Sequence, residues 1–503
     1  MKRFLTILFI VTMMMSLCMT SGLAENTAPD GREYADTLNV VLNAEPSNLN
    51  PYQNNEIFSA TVERAIYNCL IIRDENNEFA GEIAKSWEYT DDKTVRFYLN
   101  DYMTFSNGSP LTAEDVAFSL LLANESSKSM IYNSLESVTV VDDYTVDVTT
   151  KVVNAALFSN LAHARTSIMC KQAFEEMGAD AYGRSPVGSG AFVLEKWDGG
   201  TQITLKRRDD YWGEMPTFST MTFRFVTEAA GRSIELETGA ADVIVVPEPS
   251  DITRLEELGF KVYTNDSYSI SQFRVNAMAV TDPLVREAMA YAVDRVSLTE
   301  AVYSGLATPA NGHMPNIMMG YRDDYPFAYN PDHARELVEQ SSYNGEEIVA
   351  IVPNQSELTY IAEMLQFYMR EAGLNVVINM SDQASVRERA VNRDYGIYVD
   401  TSNWVSGDPS RPVIMFTSTA KNMLGLPEDI VAKLDEMELA GVSHTDNTER
   451  IAIYDEFYDI VAAQWVNFPL AHKRIAYVTS ANVENFFPAP GGSPDLTGVV
   501  KFQ

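Results

Sequence analysis

The sequence predicts a mixed α/β fold in several lobes, and three observations carry that expectation: short alternating strands, capped amphipathic helices, and the interleaving of the two along the chain. Strand-like alternation appears at Val95, Phe97 and Leu99, at Val146 and Val148, and at Ile203 and Leu205. Helix starts are readable as well. Thr112-Ala113-Glu114-Asp115 has the form of a capping box opening a helix through Leu122. Asp282-Pro283 and Asn330-Pro331 each join a capping side chain to proline at the first helical position. With 503 residues, 46% of them hydrophobic, the chain can build two or three domains with true cores.

In chain order, residues 26–36 are polar and predict a loose leader. Regular structure is expected to begin with a strand at 38–42, closed by turns at Pro46 and Pro51. Asp91-Asp92 and Asp142-Asp143 read as turns before strands. The helix after Pro283 places Val285, Ala288, Met289, Ala292 and Val293 on one stripe. The helix near Leu358 does the same with Ile361, Leu365 and Met369, stops at Gly373 and feeds a strand at 375–378. Helices near 430–437 and 451–461 complete the pattern.

The N-terminus has the three parts of a secretory signal. Lys2 and Arg3 precede an apolar run over 4–17, and small residues at Gly22 and Ala24 place cleavage before Glu25. Residues 1–24 are therefore expected to be removed on export. Cys18 offers a second route, lipidation and a membrane tether, although Leu17 stands where a small residue is usual. The mature chain keeps Cys69 and Cys170, which is no disulfide framework; one bridge or two buried thiols both remain open.

Acidic residues outnumber basic ones 70 to 37, giving a net charge of −33 spread along the chain. Such a field repels nucleic acid and anionic membrane, so neither is an expected partner. Catalytic patterns are missing. The five histidines share no metal-ligand spacing, and no H-E-x-x-H occurs. Gly188-Ser189-Gly190 lacks the third glycine of a dinucleotide loop, and no G-x-S-x-G elbow is present. Asp323-Asp324 lacks the rest of a calcium loop. The expectation is a binder, not an enzyme, with no cofactor and no metal.

Five segments in order then resemble one family: residues 38–51, 81–116, 186–212, 285–295 and 330–338. The second carries Trp87, a strand, the turn Phe105-Ser106-Asn107-Gly108 and Thr112-Ala113-Glu114-Asp115-Val116; the third carries Pro186-Val187-Gly188-Ser189-Gly190 and Tyr211-Trp212. The chain thus resembles the extracellular solute-binding proteins of peptide/nickel ABC importers. Each segment also has a structural reading: Trp87 as a core anchor, Gly108 as a turn glycine, Gly188 and Gly190 as points of close backbone approach.

The resemblance implies a type II, two-lobed, periplasmic-binding-protein-like fold with an additional subdomain and a ligand cleft between the lobes. Residues 38–62, 186–265 and 478–503 would form lobe I, 63–185 its additional subdomain and 266–477 lobe II. It implies an exported monomer, periplasmic or at the cell surface, that closes on an oligopeptide or dipeptide and delivers it to an ABC permease. A nickel complex, haem, glutathione or oligosaccharide as ligand, or a sensing role, are the alternatives. Trp404 matches the tryptophan of the family's ligand loop. The amino-anchoring aspartate would lie three positions later, where Gly407 stands; either Asp408 takes the role through a shortened loop, or it only shapes the turn with Pro409. No arginine stands at 354–356, where dipeptide receptors hold the carboxylate, so Arg393, with Arg387 and Arg389 nearby, is the candidate substitute. Asn276 fits a backbone contact on a crossing strand, Tyr52, Gln53 and Asn54 lie in a loop facing the ligand, and Tyr132 would line the cleft from the subdomain.

Overall fold

The computed structural model describes residues 27–74, 78–325 and 328–503. The expected signal, its cleavage site and Cys18 lie outside them. A single large sheet runs through the molecule in the order Val376–Ser381, Ile348–Pro353, Ile397–Asn403, Lys261–Val275, Asn467–Thr479, Val243–Val245, Thr37–Leu42, Thr220–Phe225, Gln202–Arg207, Phe192–Asp198. The two strands at its middle are the longest, with 15 and 13 residues. They pair antiparallel with each other and join a lobe on either side. We call Lys261–Val275 the first crossing strand and Asn467–Thr479 the second.

Each lobe has its own core. One is centred on Val40, Leu42, Phe223 and Leu205 and continues into a four-stranded antiparallel sheet of Ala84–Tyr89, Thr94–Leu99, Thr145–Thr150 and Leu135–Asp142. The other packs Phe273, Val352, Ile361, Leu365, Met369 and Phe468. Val95, Phe97, Leu99, Val146 and Val148 are all fully buried, as their alternation predicts. So is the stripe Val285, Ala288, Met289, Ala292 on the helix Pro283–Ala292.

Caps fall where the sequence puts them. Thr112 and Asp115 form the capping box of Ala113–Glu125, which runs three residues past the expected end. Asp282 accepts from the Leu284 amide at 2.9 Å, and Asn330 from the His333 amide at 3.1 Å. Asp91 accepts from the Lys93 and Thr94 amides as a turn residue should. The late helices are longer than expected, Glu428–Ser443 and Asn447–Ala463, because their polar ends carry no periodic signal. The expected loose leader is instead tied down from residue 27. Arg32 pairs with Glu484 at 2.6 Å and lies 3.6 Å over the Phe502 ring, and Tyr34 stacks on Phe502. Cys69 and Cys170 are both buried free thiols. Burial pushes the Cys69 thiol up to about 12.

Buried polar groups occur in both lobes and at the crossing strands. Arg274 pairs with Asp400 at 2.6 Å, and Arg450 with Asp408 at 2.7 Å. Glu63, fully buried, accepts from Asn54 Nδ2 at 2.9 Å; burial pushes its carboxyl from 4.5 up to about 7, with the Asn54 hydrogen bond opposing.

Two predictions follow from this packing. Gly190 donates its amide to Ile66 O at 2.8 Å, and a Cβ built there would stand 2.6 Å from the Ile66 carbonyl carbon. Gly190→Ala should therefore cost at least about 2 kcal/mol in urea unfolding, through overpacking against backbone. Glu63, with a folded value of about 7 against 4.5, keeps a proton that the unfolded chain has already lost between those pH values. Its contribution is thus full on the acid side of that window and is lost as pH rises through it. Glu63→Gln should shrink the stability difference between pH 4.5 and pH 7.5 by roughly 2–3 kcal/mol.

Candidate ligand-binding cleft

The crossing strands do not pair evenly. Asp266 faces Arg474 and Ile270 faces His472, so the segment 267–269 stands opposite Lys473 alone. This bulge frees the Tyr268 backbone. Its amide donates to Pro490 O at 3.3 Å and its carbonyl accepts from the Trp404 amide at 2.8 Å. One residue of the ladder thereby ties the C-terminal segment to the second lobe.

Beside the bulge lies a cavity of about 770 Å³, inside the range of roughly 300–1,000 Å³ usual for small-ligand sites. Its walls come from every part of the molecule. The helix Ile57–Ile66 supplies Arg64, the short strand Ile71–Arg73 supplies Arg73, the helix Leu157–Leu161 and the turn after it supply Ser159 and His163, and the crossing strands supply Asp266, Tyr268 and Arg474. The segment 487–495 and, from the second lobe, Ile317, Val405 and Ser406 close it. The lobes also touch directly, the Ala155 amide donating to Val442 O at 2.8 Å.

Arg64 reaches this wall because its helix is buried on nearly every face, including Ser59, Ala60, Val62, Ala65 and Ile66. The charged pair Glu63-Arg64 in the last turn must then enter the interior. Glu63 turns to Asn54. Glu82, whose carboxyl burial pushes up to about 7, accepts from Asn68 Nδ2 at 2.7 Å and the Cys69 amide at 2.6 Å. Arg64 Nε is buried without a hydrogen-bond partner among the described residues.

Most other charged groups of the wall are engaged. Arg73 donates to Ser159 Oγ at 2.8 Å and lies 4.3 Å over the Phe79 ring. Arg474 Nε is 3.5 Å from Asp266 Oδ1, and Asp266 also accepts from Asn316 Nδ2 at 3.0 Å. Asp495 accepts from the Thr497 amide and hydroxyl at 2.8 and 2.7 Å. His163 accepts from the Arg165 amide at 3.1 Å. Burial first, then the charges of Arg165, Arg64 and Arg411, hold its ring well below the usual histidine range, so it is neutral near pH 7. Arginines thus converge on the cavity from several elements.

None of the eight residues singled out from sequence is in the wall of this cavity. Tyr52 is buried, with its hydroxyl donating to Ser167 O, and Gln53 is exposed beside Asp180. Asn54 is buried and spends its amide on Asn48 O, Asn50 O and Glu63, adjoining the site through Glu63-Arg64. Tyr132 is 54% exposed. Asn276 does brace a backbone, but that of residues 393 and 395, at 2.9 and 3.0 Å, while the Arg393 side chain is on the surface. Trp404 anchors to Tyr268, and its neighbours Val405 and Ser406 line the cavity. Asp408 is 5% exposed, accepts from the Ser410 amide at 2.9 Å and pairs with Arg450. Among the described residues no group of acids, histidines and cysteines could hold a metal ion, and no helix is long and apolar enough to cross a membrane.

Comparison with known proteins completes the picture. A model of the bacterial extracellular solute-binding proteins, family 5 middle region, matches residues 78–423. The glutathione-binding protein GsiB of Salmonella paratyphi A is 26% identical over 490 residues, covering 93% of this chain and 95% of its own. The binding protein AgaA of A. tumefaciens, solved with agropinic acid, is 25% identical with a TM-score of 0.77, over 91% of this chain and 96% of its own. NikA of Brucella suis, solved with Fe(III)-EDTA, shares the fold with a TM-score of 0.82 at 20% identity, over 93% of this chain and all of its own. A two-lobed α/β fold, a cavity at the crossing strands and a match over most of the chain agree: the protein belongs to family 5 of the bacterial extracellular solute-binding proteins, the receptors of peptide/nickel ABC importers.

Proposed function

We propose that the chain captures a short peptide in the cavity at the crossing strands and presents it, enclosed, to a membrane permease. The observation that carries this reading is the composition of the wall. Arg64, Arg73 and Arg474 face Asp74, Asp266 and Asp495 in one cavity, in a chain whose acids otherwise outnumber its bases nearly two to one. A balanced set of both signs suits a zwitterion. Glutathione, named for the GsiB relatives, is itself a tripeptide-like zwitterion.

The domain division follows the same logic. Lobe I takes 38–62, 186–265 and 478–503, with 63–185 as its subdomain, and lobe II takes 266–477. A ligand touching Arg64 on one side and Val405-Ser406 on the other favours the closed form, because only that form offers both sets of contacts. The receptor works outside the cytoplasm as a monomer, released by cleavage after Ala24 or tethered through Cys18. A non-peptide solute is the competing reading, favoured by the agropinic acid bound to AgaA.

Native mass spectrometry of undenatured protein is the direct test. A ladder of short-peptide masses supports the proposal, and one defined non-peptide mass removes it. Independently, a peptide held at a hundred times its Kd should stabilise the fold by about 2.7 kcal/mol, seen as a raised melting temperature. Asp408→Ala strands Arg450 without its buried partner and should cost about 3–5 kcal/mol of stability. If Asp408 also anchors the amino group, the variant will in addition lose its preference for free-amino over amino-blocked peptides in calorimetric titration.

A further inference from the structure

We propose that the cleft selects solutes carrying a carboxylate, and that Arg64 is the residue that receives it. The inference rests on the reading that this cavity is the ligand site, and it names the chemical class that the site takes.

Arg64 stands apart from the other arginines around the cavity. Arg73 is committed to Ser159 and the Phe79 ring, Arg474 to Asp266, and Arg165 to Asn55 O at 2.5 Å. Arg64 lines the cavity, yet among the described residues its side chain joins no hydrogen bond and no ion pair. The Nε atoms of Arg165 and Arg474 also lack a hydrogen bond, but those side chains are engaged through their other groups or an ion pair. A donor removed from water needs an acceptor, which holds for Arg64 Nε, and the rest of this half-buried side chain has no acceptor among the described residues either.

The acids within reach do not supply them. Glu63 is bonded to Asn54, and Glu82 to Asn68 and the Cys69 amide. Burial, which holds both near 7, leaves each only partly ionised at neutral pH, so neither cancels the arginine's charge in full. Asp495 is folded onto Thr497 and Asp266 onto Arg474 and Asn316. His163 is neutral. What remains in the wall is a planar fork of donors with no acceptor.

That fork fits a carboxylate. Two parallel N–H···O bonds match the spacing of its oxygens, which the point charge of a lysine does not. The wall contains arginine and no lysine. The helix carrying Arg64 is buried on nearly all sides, so the group is presented from a rigid element.

The test compares tripeptides having a free C-terminal carboxylate with the same tripeptides as C-terminal amides. Tricarballylate serves as a non-peptide carboxylate, and each is titrated calorimetrically into wild type and Arg64→Gln. For wild type the acids should bind at least about 30-fold more tightly than the amides. In Arg64→Gln that ratio should collapse to within about threefold while the melting temperature without ligand stays close to wild type, since no bond to a described residue is lost. Amides binding as well as acids to wild type would overturn the inference and leave the peptide reading standing. Tricarballylate alone binding, with Arg64→Gln abolishing it, would support the inference and remove the peptide reading. Binding of none of the three classes would overturn both. The acid-to-amide ratio in wild type needs no variant, so a poorly folded Arg64→Gln would not shield the proposal.

Discussion

The architecture depends on one ladder, the antiparallel pairing of the two crossing strands. Every other strand of the large sheet attaches on one side or the other of this pair, so the relative orientation of the lobes is set by its hydrogen bonds. The bulge at 267–269 is where that ladder yields. A bulge adds residues to one strand and bends it. Here it turns the Tyr268 backbone outward to meet Pro490 and Trp404, one contact on each side of the cavity. Gly407 follows from the same constraint. It has a φ of 68°, and a Cβ at that position would lie 2.6 Å from the Tyr268 ring.

Around the ladder the molecule buries charge, and the arrangement separates structure from function. Arg274–Asp400 and Arg450–Asp408 are closed pairs, each ion compensated by the other. Lys473, Glu357, Tyr303, Ser271 and Thr401 form a further closed network at the crossing strands. Such pairs and networks fix geometry; removing one member costs far more than the intact set contributes. Arg64 belongs to no such set. Other buried polar atoms also lack a hydrogen bond among the described residues, but of the arginines lining the cavity Arg64 alone has neither a hydrogen bond nor an ion pair to them, which is why the proposal assigns the outside partner to it.

The fold was legible because local rules and tertiary packing agree. Alternation at Val95, Phe97 and Leu99 and the caps at Thr112, Asp282 and Asn330 depend on neighbours in sequence, and the packed structure uses them unchanged. The glycines at 188 and 190 were readable as points of close backbone approach, although the structure places them in the loop before the strand Phe192–Asp198, where each meets the backbone of Ile66 at the end of its helix. The site was less legible. Its wall joins residues from 64 to 495, a juxtaposition that no spacing encodes. Family pattern pointed to the segment around Trp404, whose next two residues do reach the cavity, but the aspartate of that pattern, Asp408, is held by Arg450. The missed signal was Glu63-Arg64, a charged pair in the last turn of a helix otherwise buried on nearly every face.

Net charge bears on how such a site works. A chain at −33 presents a negative field to any approaching carboxylate. At physiological ionic strength that field decays over roughly 8 Å, so beyond the first layers of water the surface acids do little to repel a small solute. Inside the cavity the balance reverses. Charges there are shielded from salt, the local dielectric is lower, and each arginine acts at closer to its full strength. On the proposed reading, attraction would operate at contact range, after the solute has entered, and closure of the lobes would strengthen it further by expelling water from around Arg64. Against the acidity that leaves the surface indifferent at a distance, a half-buried arginine with no partner among the described residues is, on the proposed reading, the feature by which the interior would discriminate.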